Sequence, residues 1–260
     1  MIPQFERNRI YCMDALEMLE QLPDASADLI LTDPPYGISY QNHFTKSRHP
    51  EIIGDQGFDY ESMAANCYRI LKDNTHAYFF TRFDRYPYHV QMLIQAGFTV
   101  KNCLVIQKSN VGGIGDLHGS FANNSEWIIF CQKGRRVFSS TQLLKNRKAG
   151  DRPAAYRTRI AEYKTRFPAC WFGEEYPKAT CNSTWRKKAG IIHPSAKNVV
   201  CLEWLILLSS SPGDLVVDPF MGSGSTALAA IRTNRSYLGC EICRDYYQLS
   251  LDRIKKEVST

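Results

Sequence analysis

The chain of 260 residues is 44% hydrophobic and 22% charged and carries a net charge of +6. This is the composition of a globular protein, and it excludes a disordered or collagen-like chain. Its length allows one hydrophobic core and a large insertion, and no run approaches the ~18 apolar residues of a membrane span. The nine cysteines are an odd number and follow no apolar leader segment, so we expect free thiols, no metal site and a cytoplasmic location.

Apolar runs alternate with helical patterns in the first half of the chain. Asp59 is expected to cap the first predicted helix, and Gly97 to end the second. A long loop, Gly37 to Phe58, follows the second predicted strand. The predicted strands are Arg9–Cys12, Asp28–Thr32, Ala77–Thr81, Thr99–Gln107 and Trp127–Cys131, and the predicted helices are Tyr60–Leu71 and Arg85–Ala96.

The last part of the chain continues the alternation. It predicts the helix Asn198–Ser209, the strand Leu215–Asp218, the helix Ser225–Arg232, the strand Tyr237–Glu241 and the helix Arg244–Glu257. Strands that alternate with helices indicate an α/β fold, a parallel-type sheet with helices on both faces. Residues 133–190 break this rhythm, so we expect them to form an inserted region within a domain made of residues 1–132 and 191–260.

Positive charge is concentrated in the stretch from Lys133 to Lys188. Fifteen Lys and Arg face four Asp and Glu there, which gives +11 and leaves −5 for the rest of the chain. Seven aromatic residues between Tyr156 and Trp185 argue against a solvated linker, because basic disordered linkers contain few aromatic residues. The charge predicts a folded segment that binds a polyanion.

The segment Asp33-Pro34-Pro35-Tyr36 directly follows the second predicted strand. Two prolines end the strand and keep the residue before each ring extended, so Asp33 and Tyr36 project from a stiff loop. Ligands bind at the carboxyl ends of strands in open α/β sheets. A carboxylate, backbone carbonyls and an aromatic ring held together there suit a planar group that carries an NH2, such as the edge of a nucleic-acid base.

A Gly-rich loop, Asp218-Pro219-Phe220-Met221-Gly222-Ser223-Gly224, joins a predicted strand to a predicted helix. Glycine allows the backbone to approach a ligand closely, and the loop lacks the lysine of a phosphate-binding P-loop. Asp218 at the strand end makes the loop suited to a cationic ligand that carries an amino acid.

Together the two segments resemble the motifs of the S-adenosylmethionine-dependent DNA amino-methyltransferases, which act on adenine N6 or cytosine N4. Because Asp-Pro-Pro-Tyr comes first and the Gly-rich loop last, the order resembles the circularly permuted beta class. The resemblance implies a methyltransferase-type Rossmann-like doubly wound sheet in permuted form, with residues 133–190 as an inserted basic target-recognition region.

The same resemblance implies which residues bind S-adenosylmethionine. Glu241, which ends the next strand, would accept hydrogen bonds from the ribose hydroxyls. His193-Pro194-Ser195-Ala196-Lys197 resembles an element whose lysine lies near the cofactor, although Asn198 stands where the family usually has proline. The implied cofactor-binding residues are Asp14 and Ala15 for the adenine, Lys197 and Glu241, and Asp218, Phe220, Gly222, Ser223 and Gly224 for the methionine portion.

The segment from Asp33 to Tyr36 is expected to be catalytic. Asp33 and the Pro34 carbonyl would accept hydrogen bonds from the target NH2, and Tyr36 would stack on a base flipped out of the duplex. Asp as the first residue favours adenine N6 over cytosine N4, which stays open. An RNA or protein-glutamine methyltransferase and a non-catalytic nucleic-acid-binding module are weaker alternatives.

The implied partner is double-stranded DNA. A homodimer and a cognate restriction endonuclease are further partners that the family resemblance allows, and no membrane partner is expected.

Overall fold

The computed structural model describes residues 5–37, 57–107, 125–136, 138, 170–171 and 196–259. Most of the predicted loop from Gly37 to Phe58 and most of the predicted inserted region lie outside these residues.

The described strands form one sheet in the order β1-β8-β7-β2-β3-β5-β4-β6. The first five strands in this order, β1 to β3, pair in parallel. The next strand, β5, runs antiparallel to both of its neighbours, β3 and β4. The strands are β1 Arg9–Tyr11, β2 Ala27–Thr32, β3 Leu71–Thr81, β4 Thr99–Gln107, β5 Ser125–Lys133, β6 Cys170–Trp171, β7 Leu215–Asp218 and β8 Ser236–Cys240.

Helices cover both faces of the sheet, as predicted. The helices are α1 Ala15–Gln21, α2 Tyr60–Ile70, α3 Tyr86–Gln95, α4 Val199–Ser209, α5 Ser225–Arg232 and α6 Arg244–Val258. The first three pack into one hydrophobic cluster, and α4 and α5 pack into the other, which α6 borders. None of these helices is both long and apolar enough to cross a membrane.

Alternation along β2 explains the two clusters. Leu29 and Leu31 enter the cluster on the α4 side, whereas Ile30 between them enters the cluster on the α1 side, because successive side chains of a strand point to opposite faces. Ala27 also enters the α1-side cluster, since the register of β2 shifts between Ala27 and Leu29. All four are fully buried. A strand buried on both faces must be apolar throughout, and this is why the run before Asp33 is so apolar.

Two sequence predictions need correction. The parallel-type sheet contains one reversed strand, β5, whose direction depends on pairing with β3 and β4 rather than on its own apolar pattern. The helix α1 was not predicted, although Asp14 caps it with hydrogen bonds to Leu16 N and Glu17 N. Its seven residues are too few for a clear helical periodicity.

Candidate active site

The two motifs predicted from the sequence meet at the carboxyl ends of neighbouring parallel strands. In the sheet Leu29 of β2 lies opposite Val216 of β7, and Ile30 lies opposite Val217. At the end of these strands Thr32 Oγ1 donates a hydrogen bond of 2.8 Å to Asp218 Oδ1. Segments 186 positions apart in the chain are thus joined by one side-chain contact.

Asp33 is held by two donors. Tyr36 donates its hydroxyl to Asp33 Oδ1 at 2.5 Å, and Lys197 Nζ lies 2.8 Å from Asp33 Oδ2. Burial and the nearby Asp33 carboxylate raise the pKa of Tyr36 well above its usual value, so its hydroxyl keeps its proton. Each oxygen of the carboxylate therefore has a partner within the chain.

Lys197 is tied to two carboxylates. Besides Asp33, its Nζ atom lies 3.8 Å from Glu126 Oε1 and 4.6 Å from the centroid of the Phe80 ring. Burial opposes its charge, but the Asp33 and Glu126 carboxylates raise the pKa of Lys197 well above its usual value, so the side chain is an ammonium. The structure places it beside Asp33, and its predicted contact with the cofactor stays a prediction.

Glu126 was not identified from the sequence. It lies on β5 next to the described end of that strand, and its side chain is 20% exposed. No motif surrounds it in the chain. The pairing of β5 with β3 and β4 in the sheet brings its carboxylate near the ammonium of Lys197.

Two further aromatic rings, those of His89 and Tyr60, pack near Tyr36. The His89 ring stacks on Tyr60 with centroids 3.9 Å apart and planes at 2°, and it lies 6.1 Å from the Tyr36 ring. Thr81 Oγ1 and His89 Nδ1 are 2.8 Å apart. Burial lowers the pKa of His89 to about 4, so the imidazole is neutral at pH 7 and is an uncharged ring beside Tyr36.

The Gly-rich loop bends over the ends of β7 and β8. Gly222 and Gly224 have φ angles of +52° and +80°, a region that strongly favours glycine. Gly222 N donates to Glu241 Oε2 at 2.9 Å, and Phe220 N donates to Asp218 Oδ1 at 3.1 Å. The loop therefore uses the two predicted acidic ligands to fix its own backbone.

Glu241 connects three neighbouring segments. Its backbone N donates to Tyr11 O at 3.0 Å, and its Oε1 atom accepts from Cys243 N at 2.8 Å. Burial raises its pKa, and hydrogen bonds from the backbone of Cys243 and Gly222 oppose that effect. A carboxylate oxygen can accept more than one hydrogen bond, so these contacts leave Glu241 capable of binding hydroxyl groups.

Other predicted cofactor residues make contacts within the chain. Asp14 caps α1 through Oδ1, and Ala15 is buried. Ser223 is also buried, and its carbonyl and hydroxyl accept from Arg253 Nη1 at 2.5 and 2.8 Å. Their contacts with a cofactor stay predictions.

The acidic groups suit the chemistry of S-adenosylmethionine. Asp218 ends β7, and Glu241 and Asp14 follow β8 and β1. These are three adjacent parallel strands whose carboxyl ends share one edge. Carboxylates in this row can bind an ammonium group, ribose hydroxyls and an adenine amine. Among the described residues, no group of three His, Cys, Asp or Glu side chains is arranged to hold a metal ion.

Comparison with known proteins identifies the family. The family model described as DNA methylase, the N6/N4 methyltransferases, matches residues 27–252. The chain belongs to this family. As a DNA amino-methyltransferase it uses S-adenosylmethionine as the methyl donor, as predicted.

The chain is also similar to individual proteins and solved structures. The DNA adenine methyltransferase YhdJ of Escherichia coli K12 is 27% identical over 251 residues, which are 93% of this chain and 80% of YhdJ. The M1.HpyAVI–SAM complex has a TM-score of 0.63 at 22% identity and covers 95% of this chain and 98% of its own. The cytosine-N4-specific PvuII DNA methyltransferase has a TM-score of 0.68 at 18% identity, with coverages of 98% and 92%. These structures confirm the methyltransferase fold for this DNA methyltransferase.

Proposed function

We propose that this DNA methyltransferase transfers a methyl group to N6 of an adenine that is flipped out of double-stranded DNA at a specific site. The observation that carries the proposal is that Asp33 directly follows Thr32, whose hydroxyl donates to Asp218, while Tyr36 donates to Asp33. This contact supports a role for Asp33 as the amine acceptor and for the Asp218 loop as the cofactor site. Asp as the first residue of the segment and the relative named as an adenine methyltransferase support adenine.

The role of Asp33 follows from the chemistry of the target. The lone pair of an exocyclic amine is delocalised into the ring, so the nitrogen is a poor nucleophile. Hydrogen bonds from the amine to the Asp33 carboxylate and the Pro34 carbonyl favour a pyramidal nitrogen, and Tyr36, with Pro35 stiffening the loop, holds the base by stacking. Catalysis by positioning and electrostatics needs no covalent bond to the enzyme.

When bound, S-adenosylmethionine would supply a methyl group on a cationic sulfur, which would leave as a neutral thioether, and the proton lost by the amine nitrogen would pass to water. We assign the methionine portion to Asp218 and the loop of Phe220, Gly222, Ser223 and Gly224. The ribose is assigned to Glu241, and the adenine to Asp14 and Ala15. The described contacts already fix Asp218 and Glu241 at adjacent strand ends.

We assign target recognition to residues 133–190, whose excess of positive charge suits the phosphates of DNA. Part of this region, the strand β6, pairs with β4 at the edge of the sheet. A homodimer and a partner restriction endonuclease remain proposals of the family resemblance.

Cytosine N4 is the second candidate. It is favoured by the fold that this chain shares with a methyltransferase named as cytosine-N4-specific. Both reactions require the same acceptor geometry at an exocyclic amine, so the identity of the base must be read from the product.

The test is to methylate unmodified genomic DNA with the purified protein and S-adenosylmethionine, digest it to nucleosides and measure the products by mass spectrometry. We expect N6-methyladenine. N4-methylcytosine in its place would overturn the choice of base, and no methylated nucleoside from any DNA would revive a non-catalytic binding module.

The variant Asp33→Ala tests the role of Asp33. Because it removes the amine acceptor and leaves the Asp218 loop intact, we expect methylation to be abolished while cofactor affinity, measured by calorimetry, changes little. Retained methylation would refute the role of Asp33.

A further inference from the structure

The ammonium group of Lys197 has two carboxylates within ion-pair range, at different distances. It is 2.8 Å from Asp33 Oδ2 and 3.8 Å from Glu126 Oε1. The first contact is a hydrogen-bonded ion pair, whereas the second is within ion-pair range but too long for a hydrogen bond. Glu126 thus offers the ammonium a second position.

This arrangement leaves the amine acceptor already engaged. Asp33 Oδ1 accepts the Tyr36 hydroxyl, and Oδ2 is paired with Lys197. A hydrogen bond to an ionised carboxylate is strong because of the negative charge on the oxygens. The positive charge of an adjacent ammonium offsets part of that negative charge and weakens the carboxylate as an acceptor. Each Asp33 oxygen can still accept a further hydrogen bond, but a neutral base amine gains a stronger one when the Lys197 ammonium withdraws.

Burial restricts where Lys197 can withdraw to. Its side chain is 12% exposed, and a buried ammonium that leaves one carboxylate without reaching another is strongly disfavoured. The flexible lysine stem needs to move Nζ by only about 1 Å toward Glu126, the difference between the two distances. Glu126 is the carboxylate to which it can move.

We propose that Glu126 is a positioning residue for methyl transfer. It takes over the Lys197 ammonium when the target amine arrives, and Asp33 is thereby released to bind that amine. The inference rests on the proposed function, because it requires a base amine as the ligand of Asp33. Glu126 acts through Lys197, and the exchange makes and breaks no covalent bond.

The test is Glu126→Gln, which keeps the size of the side chain and removes its charge. Without the second carboxylate Lys197 remains paired with Asp33, so we expect the single-turnover rate of methyl transfer to fall by about tenfold or more. Affinities for S-adenosylmethionine and for duplex DNA should change little. The matched control is Glu203→Gln on α4. It removes the charge of a partly buried glutamate that is paired with Arg232, and it should leave the rate unchanged.

A double-variant cycle separates positioning from a structural role. In a Lys197→Met background no ammonium remains to be moved, so adding Glu126→Gln should cause no further loss of rate. Glu126→Asp retains the charge on a shorter side chain and should recover part of the rate. It also keeps the test available if Glu126→Gln lowers the melting temperature.

Two results would overturn the inference: an unchanged rate in Glu126→Gln, or the same loss in the presence and absence of Lys197. These are distinguishable from failure of the proposed function. A wild type that makes N4-methylcytosine changes the base while the effect of Glu126 on that rate can still be measured. If the wild type and Glu126→Gln both make N6-methyladenine at the same rate, the role of Glu126 is refuted while the proposed function stands.

Discussion

Asp218 shows how a buried carboxylate is kept at the centre of the site. Burial raises its pKa from 3.8 to about 6, against the opposing hydrogen bonds from Thr226, Thr32 and the Phe220 backbone. A carboxyl group with a raised pKa in the folded state favours folding when protonated. Its contribution is therefore present below pH 3.8 and is lost as the pH rises through about 6.

Asp218→Asn should stabilise the protein at high pH. Asn keeps an acceptor for Thr32 and Phe220 without the buried charge, so we expect the free energy of unfolding at pH 8 to rise by about 3 kcal/mol. Denaturant unfolding measures this gain, which should shrink as the pH is lowered toward 4.5. The exposed Asp252→Asn is the control and should change little. A gain of constant size over this range would show that the charge is not its cause.

The same variant tests the proposed role of Asp218. Removing the negative charge should weaken binding of S-adenosylmethionine, so stability and affinity are expected to move in opposite directions. This is the pattern of a functional group retained at a cost in stability.

At the scale of elements, β8 passes directly under the Gly-rich loop. A Cβ atom on Gly239 would lie 2.1 Å from Asp218 O and 2.5 Å from the Met221 side chain. The first of these contacts is with backbone, which cannot rotate away as a side chain can. The Gly-rich loop can therefore lie this close to β8 only because residue 239 is a glycine and has no Cβ atom.

Gly239→Ala should displace the loop. We expect the free energy of unfolding to fall by about 3 kcal/mol and cofactor affinity to fall with it, as measured by thermal unfolding and calorimetry. Ser236→Ala at the start of the same strand adds no atom near Asp218 and serves as the control. Normal stability and affinity in Gly239→Ala would show that β8 and the loop can separate without effect.

The elements show what the sequence could and could not predict. The strands Thr99–Gln107 and Leu215–Asp218 and the helix Ser225–Arg232 have the predicted bounds, because apolar pattern and turn residues agree there. β3 begins at Leu71, six residues before the predicted start at Ala77. Its first residues include exposed polar ones, which the apolar pattern cannot assign to a strand.

The limits of prediction in the site have a similar cause. Asp33, Tyr36 and Asp218 stand in local motifs, so the sequence alone is enough to propose them as site residues. Glu126 stands in no motif, and its meeting with Lys197 results from sheet pairing and side-chain packing. Contacts between distant residues depend on the whole fold, so local pattern cannot supply them.

For the whole molecule, charge separates the predicted recognition region from the rest. The stretch from Lys133 to Lys188 carries +11 and the remainder −5. Counterions released from DNA phosphates by this stretch should dominate affinity. DNA binding is thus expected to depend steeply on salt although the net charge is modest.

We expect the logarithm of DNA affinity to fall by about 0.9 per neutralised phosphate for each unit of log salt concentration. Replacing Arg147 and Lys148 by alanine should flatten this slope by up to about 1.8 units, as measured by fluorescence anisotropy over a salt series. Lys255→Ala on α6 is the control outside the stretch. Affinity that is unchanged between low and high salt would contradict the role of residues 133–190.

One line of backbone pairing crosses the sheet from this region toward the site. Ile106 of β4 lies opposite Trp171 of β6 on one side and opposite Glu126 of β5 on the other. With neighbouring strands ~4.8 Å apart, the line is about 10 Å long. If residues 133–190 recognise the DNA sequence as proposed, a displacement of β6 on binding reaches Glu126 through a single intervening strand. Discrimination between DNA sequences is then expected in the rate of methyl transfer as well as in the affinity for DNA.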